Sequence, residues 1–579
     1  MSSFDFVIIG GGTSGLVVAN RLSEDSAQNI LVLEAGCDHS NDPRVNTPAL
    51  FLSLLNSGAD WAFETTPQTN LKDRSIGMQQ GRALGGSSAI NAQVFVPPSR
   101  GIVDAWGSLG NEGWNWDVLR GYFDKARSSI QPSFASDLSH PIREEWLEAF
   151  KASGHHMTTD PFLDPSVGGF NLLSSIHPEK KERSYAVPAY YHPAKHRENL
   201  TVLTDVIVEK ILFDDAQPPK AIGVNYRYKN DDEIKTVSAG KEVILAAGVF
   251  QSPKLLELSG IGDSNLLQRY GINVIRDLPQ VGENLQDHLV SYASYETVDN
   301  ISTLDSLIRQ EPDAIQQAMN EYVTKKSGML SSVGVFTCAY LPLVDYMSGE
   351  NHNQLKKLFH QNRPATDNQQ AKAFYDVAEK AFLDPNQPSA CHFTALAQQV
   401  PPVDPNSNSP ADPIPGSFIT FAVMLSHPLS RGNVHISSSN VSDAPIINPN
   451  YLSNPIDIEV FSRHLQYAET IANSSAFDTI LKRPLRRRDP ASDPTSLEQA
   501  KDYLRTSAIS QWHPCGTCPM LPIEKGGVVD TRLRVYGTRN LRVIDASAIP
   551  LVSTANLGAT VYAFAERAAD LIKEDYRLR

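Results

Sequence analysis

The chain has 579 residues, 41% hydrophobic and 20% charged, with a net charge of −14. That length exceeds a single hydrophobic core, so two large domains are expected. The acidic balance argues against a nucleic-acid or anionic-membrane partner, and the sequence has no apolar run of about 18 residues that would span a membrane. An apolar strand is expected from Phe4, and no signal peptide is expected ahead of it. Cys37, Cys338, Cys391, Cys515 and Cys518 are few, odd in number and scattered, which fits a reducing compartment. The expected location is cytoplasmic, where the sequon at Asn199-Leu-Thr201 would carry no meaning.

Phe4 to Ile9 reads as a buried parallel strand. Thr13 to Leu22 reads as a helix, and Ile30 to Leu33 as a second buried strand ending at Glu34. Together they form a βαβ opening. Residues 101–130 hold Trp106, Trp114, Trp116, Tyr122 and Phe123 and read as a helical excursion. Leu200 to Phe213, Ile222 to Tyr228 and Lys235 to Ala246 read as strands of a meander returning to the first domain. Residues 345–415 are rich in Asn, Gln, Pro and Asp and read as a polar loop insertion, either a lid or a solvated excursion. Leu541 to Ile544 is a last strand. From Thr560 onward, Val561, Phe564, Ala565, Ala568, Leu571 and Ile572 follow the spacing of one buried helix face.

Gly10-x-Gly12-x-x-Gly15 lies between the first strand and the first helix. Glycines there permit a tight turn, and the helix N-terminus faces a pyrophosphate. Glu34 lies at the end of the second strand, where a carboxylate can hold ribose hydroxyls. The motif predicts a dinucleotide and does not separate FAD from NAD.

Five further motifs separate them. Gly81-Arg-Ala-Leu-Gly85-Gly86-Ser87-Ser88-Ala-Ile90-Asn91-Ala-Gln-Val-Phe95 resembles the first signature of the glucose–methanol–choline (GMC) family of FAD-dependent oxidoreductases. Gly248 to Gly262 resembles the second, with Val249 where a small residue or Pro is usual. Val281 to His288, His513-Pro-x-Gly516-Thr517-Cys518 and Asp545-Ala546-Ser547 follow in the family's order. The resemblance spans the chain except residues 345–415. It implies FAD held by Gly10, Gly12, Thr13, Ser14, Gly15, Glu34 and Ala35 at one end. It extends the binding set to Arg82, Gly85, Gly86, Ser87, Asn91, Ala92 and Val94, and to Val206, Asp545, Ala546, Asn556 and Thr560. Some members tether FAD through a His at the position of Ile90, so the implied FAD here is non-covalent. The Gly85 to Ser88 run suits a backbone wrapped against flavin and phosphates.

Alcohol oxidation needs a base for the hydroxyl proton. A neutral imidazole accepts it near neutral pH, and the resemblance assigns that role to His513 among 15 histidines. Asn556 stands where the family has His or Asn, and its amide can orient the substrate oxygen. As an isolated residue it also reads as a helix cap, a role compatible with the first. The helix that follows would point its positive end at the flavin N1–C2=O edge. Trp512 and Phe95 suggest an apolar or aromatic substrate pocket. Cys515-x-x-Cys518 lacks a second ligand pair, and His155-His156 is isolated, so no metal is expected.

The expected fold class is α/β (α+β overall). A Rossmann-type FAD-binding domain spans 1–150, 196–295 and 510–579. A substrate domain spans 151–195 and 296–509, with an antiparallel sheet backed by helices. The expected reaction is FAD-dependent oxidation of a small-molecule alcohol, with O2 or another electron acceptor. Some family members are cyclases or lyases, in which His513 would serve as acid–base beside a structural flavin. Oligomeric state is not legible.

Overall fold

The computed structural model describes residues 3–134, 140–158, 160–163, 167–343, 349–364, 369–399, 412–493 and 495–579. Phe6–Ile9 of the strand Ser3–Ile9, and Ile30–Leu33, are apolar and buried on both faces, so they occupy the interior of a sheet. Leu200–Leu203, Ile30–Leu33, Ser3–Ile9 and Lys235–Leu245 run parallel in that order, and Leu541–Val543 also pairs with Lys235–Leu245 in parallel. Lys235–Leu245 joins two regimes. Its second half pairs with Phe6–Ile9, and its first half pairs antiparallel with Ala221–Tyr228, which in turn pairs with Val206–Phe213.

The single strand expected over Leu200 to Phe213 is two. The break lies at Thr204-Asp205, where Asp205 has φ +56°. Asp tolerates that left-handed geometry better than most residues, and the chain turns there from the parallel to the antiparallel part. Thr13–Leu22 packs against Gly558–Tyr576 and lies beside the sheet, so the two ends of the chain share one core.

A second sheet of six antiparallel strands has the order Ile509–Ser510, Leu289–Glu296, Phe418–Leu425, Ala390–Ala395, Thr337–Leu341, Gly168–Asn171. Alternation along each strand divides its faces. Ala293, Tyr295, Ala339, Leu341, Ile419 and Phe421 pack with Trp146 and Phe150 of the helix Ile142–Ala152. Val423 and Leu425 continue that face onto the helix Pro455–Ala472. Val290, Tyr340, Ala422 and Met424 point the other way, against Val96 and Ala555. That second face therefore abuts the residue before Asn556.

Residues 345–415 depart from the expected loop. Their described part holds the helices Gly349–Gln361 and Gln369–Leu383 and the strand Ala390–Ala395, an interior strand of the sheet. Each helix buries a narrow stripe, Leu355 and Phe359 in one, Phe374, Tyr375, Ala378 and Phe382 in the other. Their remaining polar residues dilute the apolar signal of that stripe. The Pro-rich stretch at 401–411 lies outside the described residues.

One buried ion pair ties the last strand to the sheet. Arg542, 1% exposed, donates Nε to Glu242 Oε2 at 2.7 Å and Nη2 to Glu242 Oε1 at 2.9 Å, and also reaches Asp575 at 2.6 Å. Removing one partner of such a pair leaves a buried charge and costs about 3–5 kcal/mol. Arg542→Met should lower the denaturant midpoint accordingly, and Arg542→Met with Glu242→Leu should recover part of the loss. A single variant with the wild-type midpoint would contradict this.

Candidate active site

The Gly10–Gly15 turn leaves the carboxyl end of Ser3–Ile9, the edge where open α/β sheets bind ligands. Gly10 has φ +104°, and a Cβ there would lie 2.3 Å from the Ala246 carbonyl oxygen. Gly86 has φ +53°, and its Cβ would come within 2.8 Å of Gly12 Cα. The two glycine loops thus touch backbone to backbone, an approach that a side chain at Gly86 would block. They wall one end of a long cavity that runs past Glu34 and Val206 to His513 and Asn556.

Glu34 and Asp545 frame that cavity. Glu34 accepts from Gly11 N at 2.7 Å and Gly36 N at 2.8 Å. Asp545 accepts from Gly248 N at 2.9 Å, Ser252 Oγ at 2.6 Å and Ser547 N at 2.8 Å. On the same wall, Ser14 Oγ, Gln79 Oε1 and Gln93 Oε1 are buried with no partner among the described residues. Buried polar atoms are normally satisfied. Together with the glycine cradle, these atoms fit a polar dinucleotide such as FAD.

Of the residues expected to bind it, Gly10, Gly12, Thr13, Ser14, Glu34 and Ala35 line the cavity. So do Gly86, Ser87, Asn91, Ala92, Val94, Val206, Asp545, Ala546 and Asn556. Gly15, Arg82, Gly85 and Thr560 stand behind the wall. Arg82 stacks 4.7 Å over the Trp61 ring, Gly85 lies under Tyr185, and Thr560 is 1% exposed. Phe95 is a correction. It is 1% exposed and stacks on Phe162 at 5.5 Å, away from the cavity. In the extended run Val94-Phe95 neighbouring side chains point to opposite sides, and Val94 takes the cavity side. Trp512 does line the cavity, with Trp61 and Phe63, whose rings stack at 5.7 Å. Gln79, Gln93 and Gln511 on the wall carry no spacing signal that sequence reasoning could use.

His513 is positioned by strand register. Leu289 pairs with Ser510, and Gln286 bridges to Cys515. Between these anchors residues 511–514 form a short turn, with Trp512 at φ +59° and its indole N–H donating to Gly77 O at 3.1 Å. The turn faces His288, so the two rings meet edge to face with Nδ1 atoms 3.0 Å apart. The His513 backbone N–H donates to Asp287 Oδ1 at 2.8 Å. On the other side, Asn556 Nδ2 lies 2.9 Å from His513 Nε2. Asn556 is not a cap: the final helix starts at Gly558 after Leu557 and has no side-chain cap. Burial, with His288 beside it, holds His513 well below the usual imidazole range.

Cys515 and Cys518 are buried free thiols, and burial pushes both above the ordinary thiol range. Among the described residues, no three His, Cys, Asp or Glu side chains are grouped to hold a metal, and no helix is long and apolar enough to cross a membrane.

Burial raises the Glu34 carboxyl to about 7, against backbone donors that lower it. The folded chain therefore holds this proton more tightly than the unfolded chain. The associated stability is present in acid and is lost as pH rises through about 7. In cofactor-free protein, wild type should lose thermal stability relative to Glu34→Gln between pH 5 and pH 8. A difference independent of pH would contradict the assignment.

Comparison with known proteins identifies the family. GMC oxidoreductase models match residues 4–290 and 428–565. A dehydrogenase of Monascus purpureus is 35% identical over 99% of this chain and 96% of its own. An FAD-dependent oxidoreductase from Chaetomium thermophilum superposes with TM-score 0.85 at 29% identity, covering both chains fully. A formate oxidase superposes at 0.84 with 26% identity over 100% of this chain and 99% of its own. A fungal aryl-alcohol oxidase superposes at 0.83 with 26% identity over both whole chains. The glycine loops, the cavity and these matches together make the chain a member of the GMC oxidoreductase family, a flavoprotein whose cofactor is FAD.

Proposed function

We propose that the protein oxidises an uncharged, largely apolar alcohol to an aldehyde or ketone, with His513 as base and Asn556 as the group that holds the substrate oxygen. The observation that carries this reading is the His513 Nε2–Asn556 Nδ2 pair, 2.9 Å apart on the cavity wall. An alcohol oxygen that takes over this contact from the cavity side, within reach of both nitrogens, donates its proton to Nε2 and accepts from the amide N–H. His513 then takes the proton, and Asn556 shares the charge that develops on oxygen. Bound FAD supplies the two-electron acceptor for the hydride that leaves the carbon. The cavity wall also includes Trp61, Phe63 and Trp512, which suits an apolar or aromatic substituent. The described lining carries no Lys or Arg, and the oxygens of Glu34 and Asp545 are engaged by the donors described above. We take segments 1–150, 196–295 and 510–579 as the FAD-binding domain, which also supplies the pair His513 and Asn556, and segments 151–195 and 296–509 as the substrate domain, which meets the cavity wall at Val441.

Ile90 lines the cavity where a tethering His would stand. Acid denaturation should therefore release free FAD into the supernatant. Flavin remaining on the precipitated protein would contradict non-covalent binding.

His513→Ala should keep FAD and slow anaerobic flavin reduction by an alcohol about 10²- to 10⁴-fold, the usual contribution of a positioned base. Because burial lowers the imidazole pKa, the wild-type rate should stay level through neutral pH and fall only well below pH 6.5, where the ring takes a proton. Asn556→Ala should cost less, about 10- to 150-fold, from a lost charge-assisted hydrogen bond worth roughly 1.5–3 kcal/mol. Its pH profile should keep the wild-type shape. Wild-type reduction rates in His513→Ala would remove the base assignment. Wild-type flavin that no alcohol bleaches would move the reading to a non-redox cyclase or lyase.

A further inference from the structure

His288 is 0% exposed, and both its ring nitrogens are engaged. Nε2 lies 2.9 Å from the Ser426 carbonyl oxygen, which can only accept. Nε2 therefore carries a proton. Burial holds His288 neutral, down at about 4 against the Ser426 and Ser553 carbonyls that raise it, so the ring has one proton, and the 2.9 Å contact to Ser426 takes it. Nδ1 of His288 is then a bare lone pair, and it faces His513 Nδ1 at 3.0 Å. Two bare nitrogens would repel, so His513 Nδ1 carries the proton and donates it. A neutral imidazole has one N–H. His513 Nε2 is thus left without a proton, on the side that faces Asn556 and the cavity.

We propose that His288 is a positioning residue: through its Nδ1 lone pair it keeps the His513 proton on Nδ1 and leaves Nε2 bare toward the substrate. This rests on the reading of His513 as the base. The inference does not depend on how the Asn556 amide is oriented, because it starts from a backbone carbonyl at the far end.

The neighbouring carboxylate does not do this work. Asp287 accepts from the Tyr451 hydroxyl, from Ser510 Oγ at 2.6 Å and from the His513 backbone N–H. It fixes the main chain of His513 and leaves the ring to His288. In a Ser-His-Asp triad a carboxylate holds the imidazole Nδ1–H and stabilises the imidazolium. A neutral imidazole in that place orients the ring without adding a negative charge. The base then stays unprotonated into acid, which matches a buried site. Among the described residues His427 interacts with His288, and Tyr451 and Cys515 interact with Asp287. Each stays in place in the variants below.

Three variants of the FAD-loaded enzyme test this. In His288→Asn, the amide oxygen can stand near the Nδ1 position and accept the His513 proton. In His288→Gln, the longer side chain reaches the Nε2 position and leaves His513 Nδ1 without its acceptor. In His288→Asp, a carboxylate takes the Nδ1 place, and a negative charge there favours the imidazolium. Two readouts apply: anaerobic flavin reduction by an alcohol, and the titration midpoint of His513 from hydrogen–deuterium exchange at its ring C2 by mass spectrometry. The Gln variant should slow reduction by about 10²-fold or more, as expected when a base carries its proton on the wrong nitrogen. The Asn variant should recover most of that rate. The Asp variant should move the His513 midpoint, and the acid limb of the rate profile, to higher pH. Equal rates in the Asn and Gln variants with FAD bound would overturn the proposal. So would a His513 midpoint that is the same in wild type and the Asp variant. If no alcohol bleaches the wild type, the functional reading fails, and the exchange midpoints still decide the role of His288. They decide it equally if the Gln variant does not hold FAD.

Discussion

A buried neutral imidazole carries one proton, and its neighbours decide which nitrogen holds it. At His513 that decision begins at the Ser426 carbonyl and passes through His288. The rest of the architecture brings those groups together. The pairing of Leu289 with Ser510 sets the register, the turn at Trp512 aims the ring, and the strand face packed against the loop residue Ala555 fixes its neighbour Asn556. A slip of one residue in that pairing would point the imidazole at the wrong side of the sheet.

The cofactor end depends on a different constraint, the approach of two backbones. The Gly10–Gly15 and Gly81–Gly86 loops meet where side chains would collide. This contact explains why segments separated by some seventy residues form one cradle. The C-terminal strand Leu541–Val543 closes the same sheet and sets Asp545 against Gly248 and Ser252. Arg542 locks that strand from behind, so an ion pair far from the chemistry supports the wall of the site.

Much of this was legible in the sequence. Apolar runs and turn residues located Ser3–Ile9, Thr13–Leu22, Ile30–Leu33 and the last helix, because their periodicity is strong and their ends carry glycine or charge. The motifs located the glycine loops and His513. What escaped were features set by long-range pairing. Ala-Cys-His-Phe-Thr-Ala at 390–395 reads as weak, yet it is an interior strand because neighbours on both sides cover it. Phe95 looked like a pocket residue, but alternation turned it into the core. His288 closes the motif Val281 to His288, and nothing in its spacing shows that it meets a ring more than two hundred residues away.

The central claim is that His513 removes a hydroxyl proton while hydride leaves the adjacent carbon. Stopped-flow reduction of the wild-type flavin by an alcohol and by the same alcohol deuterated at that carbon tests it most directly. The account requires that the flavin bleach and that the deuterated alcohol bleach it more slowly, with aldehyde or ketone formed in step. A flavin that stays oxidised with every alcohol would contradict it, as would bleaching that is indifferent to deuterium when reduction itself is the step observed.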